Sequence, residues 1–364
     1  MTTFTIKTAD LKAAVKCIRP TYQRRNIIPV LSHVLVQAKA DAVAFITTNL
    51  DLEIEYIAAA TSDGECAFTM PFPALAGLST LDCDVLAFGV SDEPQRLTVT
   101  ADGFSMSMNL LCPAADFPLM MTPERSDTMA VTPSVDMTRA DLHRFLRMAL
   151  PSVSTEETRH YLEGVYFCKS PGNTMRAVAT DGIRLARIDS TIAWSGPDVI
   201  MPRQTCAALM AQVSGKADGA VSMAVAPMFA VIRGENWAYR AKMIDGKYPD
   251  YTRVIPKEAD TITATLSAAQ IRRLGVAARM GMDRAVKLTA GALSAYDPID
   301  GASVTVSAQI SGPDGFKIGF NRRYLSGQAK VTPVFKMSGA GPNDPVRIIG
   351  EDPLALFVIM PMRV

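Results

Sequence analysis

At 364 residues, 48% of them hydrophobic and 20% charged, the chain is long enough for two or three globular domains and lacks the composition of a disordered one. Its formal net charge of +1 excludes an overall polycation, so any attraction for phosphate must come from where the cations lie. Six scattered cysteines without a C-x-x-C pair exclude a zinc ribbon and argue against a disulfide framework. No apolar run approaches the roughly 18–20 residues that span a bilayer.

The N-terminal Met1-Thr2-Thr3-Phe4-Thr5-Ile6-Lys7 has neither the basic region nor the apolar run of a secretory signal, which predicts a cytoplasmic protein. Phe4-Thr5-Ile6 reads as a strand entering a helix over 9–18, where Leu11, Val15 and Ile18 fall at helical spacing. Val43-Ala44-Phe45-Ile46 and Arg96-Leu97-Thr98-Val99 read as strands, with a second short helix starting near Pro71 between them. The order then returns. Val135-Asp136-Met137 enters a helix over 140–150, and a second helix starts near Pro202. It returns once more with a strand over 262–266, a helix over 268–279, the strand Ser303-Val304-Thr305-Val306 and a helix near Asn321. Thr8, Thr138 and Ser267 stand near the first helix of each round and are the expected caps.

Residue identities repeat along with the elements. Ala9-Asp10-Leu11 and Ala140-Asp141-Leu142 are offset by 131, as are Leu31-Ser32-His33-Val34 and Leu162-Glu163-Gly164-Val165, Met70-Pro71 and Met201-Pro202, and Phe117-Pro118 and Tyr248-Pro249. Thr48-Asn49 matches Thr180-Asp181 at 132, and Leu266-Ser267 follows Ile6-Lys7 at 260. Constant spacing in constant order points to one unit written three times. The expected fold is α+β, three domains at 1–126, 127–257 and 258–364, each with antiparallel sheets and two helices. The boundaries fall in Thr122-Pro123-Glu124-Arg125-Ser126-Asp127 and near Pro256-Lys257-Glu258-Ala259-Asp260.

Cations gather on the predicted helices: Lys12 and Lys16, then Arg144 and Arg147, then Arg272, Arg273 and Arg279, with Arg203, Arg322, Arg323 and Lys330 on the later ones. Arranged about a common centre, such helices present a surface that attracts phosphate without reading bases. Taken alone, the same charges also suit the solvent faces of amphipathic helices.

Several segments resemble the bacterial DNA polymerase III beta subunit family, the sliding clamps. They are Arg159-His160-Tyr161-Leu162-Glu163-Gly164-Val165, Ala179-Thr180-Asp181-Gly182-Ile183-Arg184-Leu185, Asp245-Gly246-Lys247-Tyr248-Pro249-Asp250-Tyr251, Gly319-Phe320-Asn321-Arg322-Arg323-Tyr324-Leu325 and the terminal Met360-Pro361-Met362-Arg363-Val364. The resemblance runs the length of the chain. It implies a head-to-tail homodimer closed into a ring around duplex DNA, which confers processivity on a polymerase. It also implies a pocket for short peptide motifs of the polymerase and clamp-loader subunits, at Leu162, Thr180, Gly182, Ile183, Arg184, Leu185, Pro249, Arg253, Val254, Asn321, Tyr324, Val358, Met360, Pro361 and Met362. Contact with DNA, independent of sequence, is implied at Arg24, Arg25, Arg159, Tyr161, Arg203 and Gln204. The chain departs from the family at Ile183, where a His is usual, at Gln204 in place of Lys, at Asp283 in place of an apolar residue, and in the uncharged stretch 72–81. Those departures suit a divergent or accessory clamp with its own peptide preference.

Two other readings start from the residues alone. An enzyme would need a reactive constellation. His33, His143 and His160 form no H-x-x-x-H pair, no phosphate loop is present, and Asp181-Gly182 reads as a turn, so neither catalysis nor a metal or cofactor is expected. A repeat scaffold that binds only proteins would share the pocket but would neither close a ring nor collect cations at its centre.

Overall fold

The structure, a computed structural model, describes residues 1–24, 26–92, 95–120, 134–215, 218–280, 285–297, 299 and 301–363. Arg25, Asp283 and the first expected domain boundary lie outside them. In the first strand, Thr2–Lys7, Phe4 and Ile6 are buried and Thr3, Thr5 and Lys7 face outward, the period-two pattern of a half-buried strand. Helix α1, Thr8–Ile18, follows and buries Leu11, Ala14, Cys17 and Ile18, each large apolar side chain contributing about 1.5–3 kcal/mol.

Among the described residues, eight strands recur in the same order in each repeat. In the first they are Thr2–Lys7, His33–Lys39, Ala42–Thr48, Leu52–Ser62, Cys66–Pro71, Val85–Asp92, Gln95–Ala101 and Phe104–Asn109. In the second they are Ser134–Thr138, Gly164–Lys169, Thr174–Thr180, Arg184–Ala193, Val199–Pro202, Ala220–Ala226, Phe229–Arg233 and Trp237–Lys242. In the third they are Ile262–Ser267, Ala285–Thr289, Ala292–Tyr296, Ser303–Ser307, Ile318–Asn321, Val334–Gly339, Val346–Ile349 and Ala355–Ile359, with the short Gln309–Ser311 added. Helix α2 (Phe72–Leu78) follows the fifth strand of the first repeat. Helices α3 (Arg139–Ala149) and α4 (Arg203–Val213) take the corresponding places in the second repeat. In the third they are taken by α5 (Ala268–Arg273) with α6 (Gly275–Arg279), and by α7 (Arg322–Val331).

The pairings repeat as well. In all three repeats the first strand pairs with the sixth, the sixth with the seventh and the seventh with the eighth, all antiparallel. A second sheet joins the fifth strand to the second, the second to the third and the third to the fourth. Sheets also continue between repeats. Trp237–Lys242 pairs with Leu52–Ser62 in the register Leu52↔Ala241, and Ala355–Ile359 pairs with Arg184–Ala193 in the register Arg184↔Ile359. Within the second repeat, Gly164 permits the close approach of its second and fifth strands: a Cβ there would lie 2.5 Å from the Met201 carbonyl oxygen on the neighbouring strand.

The chain packs as two compact units, Met1–Ala140 with Ala211–Met243, and Asp141–Met210 with Ile244–Val364, so the second repeat is shared between them. The first unit holds a twelve-stranded sheet that ends on Phe104–Asn109. The second holds a nine-stranded sheet and a four-stranded one that ends on Ser303–Ser307. Phe4 stacks on Phe88 with centroids 4.8 Å apart in the first unit, and Phe145 meets Phe167 edge-on at 6.2 Å in the second.

Two local expectations need correction. Thr8 lies inside its helix behind an uncapped Lys7. Thr138 ends the strand directly before α3, and Ser267 caps in a reciprocal box with Gln270. The helix expected over 268–279 is two short ones meeting at Leu274, which is fully buried. Three of the cysteines, Cys17, Cys168 and Cys206, are buried, whereas Cys66, Cys83 and Cys112 are only half-buried. Burial pushes the Cys17 and Cys206 thiols up to about 12. Among the described residues no helix is long and apolar enough to cross a membrane.

Candidate functional site

The second unit is open at the turn between Thr174–Thr180 and Arg184–Ala193. Asp181 Oδ1 accepts from the backbone N–H of Ile183 at 3.0 Å and of Arg184 at 2.9 Å, while Thr180 Oγ1 donates to the Arg184 carbonyl at 2.7 Å. Asp181 Oδ2 also takes the Arg184 Nε–H at 2.9 Å. The carboxylate is therefore a structural part of the turn. Gly182 supplies a φ of +88°, which a residue with a Cβ rarely adopts. The Ile183 side chain, 47% exposed, is left at the tip.

Around this turn lies a cavity of about 380 Å³, lined by Arg159, Tyr161, Leu162, Thr180, Gly182, Ile183, Arg184, Leu185, Pro249, Asp250, Tyr251, Val254, Val358 and Met360. Its floor is core: Leu162, Leu185 and Val358 are buried with Val178, Ile200 and Tyr248. The C-terminal segment closes one side, because the Met360 N–H donates to the Ile183 carbonyl at 2.8 Å and the Met362 N–H to the Gly319 carbonyl at 2.8 Å. Opposite, Asp250 caps the short helix Tyr251–Val254 through the Thr252 N–H at 3.1 Å. The Thr252 hydroxyl, helped by that cap, holds the Asp250 carboxyl below the usual carboxylate range. The Tyr251 hydroxyl accepts from Arg176 Nη1 at 3.1 Å, and Arg176 is itself anchored to Asp189. Tyr248 stacks on Tyr166 at 4.5 Å, and burial pushes its hydroxyl above the ordinary phenol range. The result is a rigid apolar slot with a soft Met at its lip.

Of the residues expected here, Leu162, Thr180, Gly182, Ile183, Arg184, Leu185, Pro249, Val254, Val358 and Met360 line the cavity. Tyr324 stands just behind, its ring 4.5 Å from the Arg184 guanidinium. Asn321 caps α7 by accepting from the Arg323 N–H at 2.9 Å. Arg253 is exposed on the outside of the Tyr251–Val254 helix, and neither Pro361 nor Met362 lines the slot. Sequence reasoning left out Asp250 and Tyr251. The Asp250-Tyr251-Thr252 spacing, an Asp two residues before a Thr N–H, is the signal that could have placed them.

Arg159 and Tyr161, expected against DNA, stand on the cavity wall. A second groove of about 1020 Å³ in the same unit gathers Arg147, Arg184, Arg203, Gln204 and Lys330 with Glu157 and Glu163. Arg203, Gln204 and Lys330 are exposed there. Arg147 donates to the Val331 carbonyl at 2.5 Å. Arg144, read from the sequence as another helix cation, is held by Asp352, with Nη2 3.0 Å from Oδ1, and by the Asp189 carbonyl at 3.0 Å. It is an internal tie. In the first unit Arg24 is exposed, as are Lys12 and Lys16 on α1.

Comparison with known proteins gives one answer across the chain. The family description DNA polymerase III beta subunit, N-terminal domain, matches residues 2–121, and its central-domain counterpart matches 137–250. The beta sliding clamp of Caulobacter vibrioides is 32% identical over 392 residues, covering 99% of each chain. Among solved structures, the DNA polymerase sliding clamp of Caulobacter crescentus superposes with a TM-score of 0.86 at 30% identity, with full coverage of both chains. A sliding clamp from Bartonella birtlesii, solved bound to griselimycin, gives 0.88 at 26% identity, again over both full chains.

Proposed function

The chain belongs to the family of the DNA polymerase III beta subunit and is a sliding clamp; from that premise we propose that two copies close head to tail around duplex DNA. The observation that carries the ring is the strand count at the sheet ends. Twice within the chain, the eighth strand of one repeat pairs with the fourth strand of the repeat before it. The eighth strand of the first repeat, Phe104–Asn109, and the fourth of the third, Ser303–Ser307, instead end their sheets. A second copy supplies both missing partners by the same rule. A heterologous contact that closes after two copies makes a ring of six domains, at 1–126, 127–257 and 258–364 in each chain, and pairs both of these end strands.

Neither end strand carries a charged residue to block such pairing: Ser105, Ser107 and Asn109 on one and Ser303, Thr305 and Ser307 on the other are exposed and neutral. Sedimentation is expected to give twice 39.2 kDa. Setting like charges along both edges with Ser107→Lys and Thr305→Lys is expected to give a monomer; a wild-type monomer would defeat the ring.

The ring holds DNA by enclosure and by diffuse attraction to phosphate, through Arg24 and Arg25 and through the groove that contains Arg203 and Gln204. Such contacts are the same at every register and so permit sliding. The protein works as a processivity factor in the cytoplasm rather than as a catalyst. The slot beside Ile183 takes apolar side chains of short peptide segments from a polymerase and from clamp-loading proteins. Griselimycin, bound by the Bartonella relative, serves as a competitor in peptide titrations and is expected to displace them.

A further inference from the structure

The lip of the slot is a thioether in contact with water. Met360 follows the last strand, its N–H held by the Ile183 carbonyl at 2.8 Å, and it lines the cavity while 38% exposed. Met362, two residues on, is equally exposed at 38%, but its N–H goes to the Gly319 carbonyl and it lines no part of the slot. Met175 and Met201 of the same unit are fully buried. Peroxide reaches an exposed sulfur and is kept from one sealed in a core.

The walls make that exposure consequential. Leu162, Ile183, Leu185, Val254 and Val358 offer only hydrocarbon. The polar groups among them are engaged. The Thr180 hydroxyl donates to the Arg184 carbonyl at 2.7 Å, Arg184 pairs with Asp181 at 2.9 Å, and Arg159 pairs with Glu156. An oxygen added to the Met360 sulfur is therefore solvated by water while the slot is empty. An apolar side chain seated beside it strips that water and returns no donor, which weakens binding by about tenfold or more.

We propose that Met360 is a modification site, converted by hydrogen peroxide to the sulfoxide, and that the oxidised chain lets go of its peptide partners. A sulfur lone pair attacks one peroxide oxygen and forms the S–O bond as the O–O bond breaks. The departing hydroxide takes the proton of the transferred oxygen and leaves as water. Sulfur gives up two electrons and peroxide accepts them. A thiol-dependent methionine sulfoxide reductase reverses the change, with its thiols oxidised to a disulfide and the oxygen released as water. The proposal rests on the peptide-binding reading and adds regulation to it: peroxide uncouples the clamp from the proteins that use it.

The test uses the full chain and labelled pentapeptides with Leu and Phe permuted at two positions. Anisotropy gives their affinity before and after brief treatment with hydrogen peroxide, which catalase removes before peptide is added. Mass mapping is expected to find one added oxygen on Met360 and on Met362 and none on Met175 or Met201. Wild-type affinity is expected to fall about tenfold and to return with the reductase. Met362→Leu should lose affinity in the same way, whereas in Met360→Leu the ratio of affinities before and after peroxide stays at about one. Unchanged binding by wild type with Met360 converted would overturn the proposal. So would an equal loss in Met360→Leu, or Met360 left unconverted where Met362 is oxidised. No binding by the untreated chain would defeat the peptide reading and this proposal with it.

Discussion

The turn over 48–52 in the first unit and the turn over 180–184 in the second have the same construction. Asn49 Oδ1 accepts from the N–H groups of Asp51 and Leu52 at 3.1 and 2.8 Å, as Asp181 Oδ1 does from Ile183 and Arg184 at 3.0 and 2.9 Å. Thr48 and Thr180 each accept the N–H two residues on, at 3.0 and 3.1 Å, and the intervening residue has φ of +74° at Leu50 and +88° at Gly182. Both turns adjoin the place where the eighth strand of the next repeat pairs. The surroundings then diverge. Beside the first turn Lys242 pairs with Asp51 at 3.0 Å, and Arg240 bridges Glu53 and Glu55, with Glu53 almost fully buried and also accepting from the Met120 N–H at 2.6 Å. Beside the second turn stand Leu162, Leu185, Val358 and Met360 around open space. The backbone of the repeat is thus neutral with respect to function. Side chains from the joining strand decide whether the turn is sealed by charge or opens onto a slot.

The largest effect should come from breaking the seal. Glu53→Ala removes a buried acceptor of the Met120 N–H and one of the two carboxylates on Arg240, and is expected to destabilise the first unit by about 3 kcal/mol. The two tryptophans let the units be read separately, since Trp237 is buried in the first and Trp194 in the second. Urea unfolding followed by Trp237 in a Trp194→Phe background measures this loss.

Exchanging the special backbone position sharpens the comparison. Gly182→Val puts a branched side chain at φ +88° against Arg159, so a loss of about 1–3 kcal/mol and of peptide binding is expected. In the matching turn Leu50→Gly relieves the same conformation and is expected to raise stability by up to about 1 kcal/mol. Unfolding midpoints and peptide anisotropy check both.

The smallest difference is the response to acid. Burial pushes the Glu53 carboxyl up, against the hydrogen bond from Met120 and the charge of Arg240. A raised carboxyl favours a protonated folded state. The first unit therefore gains stability as pH falls through that raised value toward the ordinary glutamate value of about 4.3. Burial also acts to raise Asp352, but the Arg144 hydrogen bond, the Leu354 N–H and nearby positive charge outweigh it, and its carboxyl is held below the usual range. Its contribution is complete above about 3.9 and is lost as pH falls through the lowered value. Shifts of roughly 1 kcal/mol or less, opposite in sign, are expected from the two tryptophan reporters. Asp352→Asn should lessen the acid loss of the second unit and leave the first unchanged.

Much of this was legible in the chain. The repeated residues occupy equivalent places: Met70-Pro71 and Met201-Pro202 each close a fifth strand, and Thr48-Asn49 and Thr180-Asp181 each start the same turn. The alignment of Ser267 with Lys7 even matches the two helix caps, although only Ser267 has a side chain that can do the work. What was not legible depends on distance along the chain. Arg144 reads as a surface cation until Asp352, 208 residues away, is found holding it. Arg159 and Tyr161 reach the slot through a kink at Arg159, with φ −118° and ψ 56°, inside the short helix Glu157–Leu162, and no spacing rule predicts that. Local hydrogen bonding shows in sequence; long-range neutralisation and irregular backbone do not.

Enclosure of DNA is tested most directly by loading the protein onto a nicked circular plasmid with a clamp loader and ATP, then cutting the plasmid once. A closed ring stays with the circle through gel filtration at moderate salt and is released within minutes of linearisation. Equal retention on circle and line, or release from both, would contradict it.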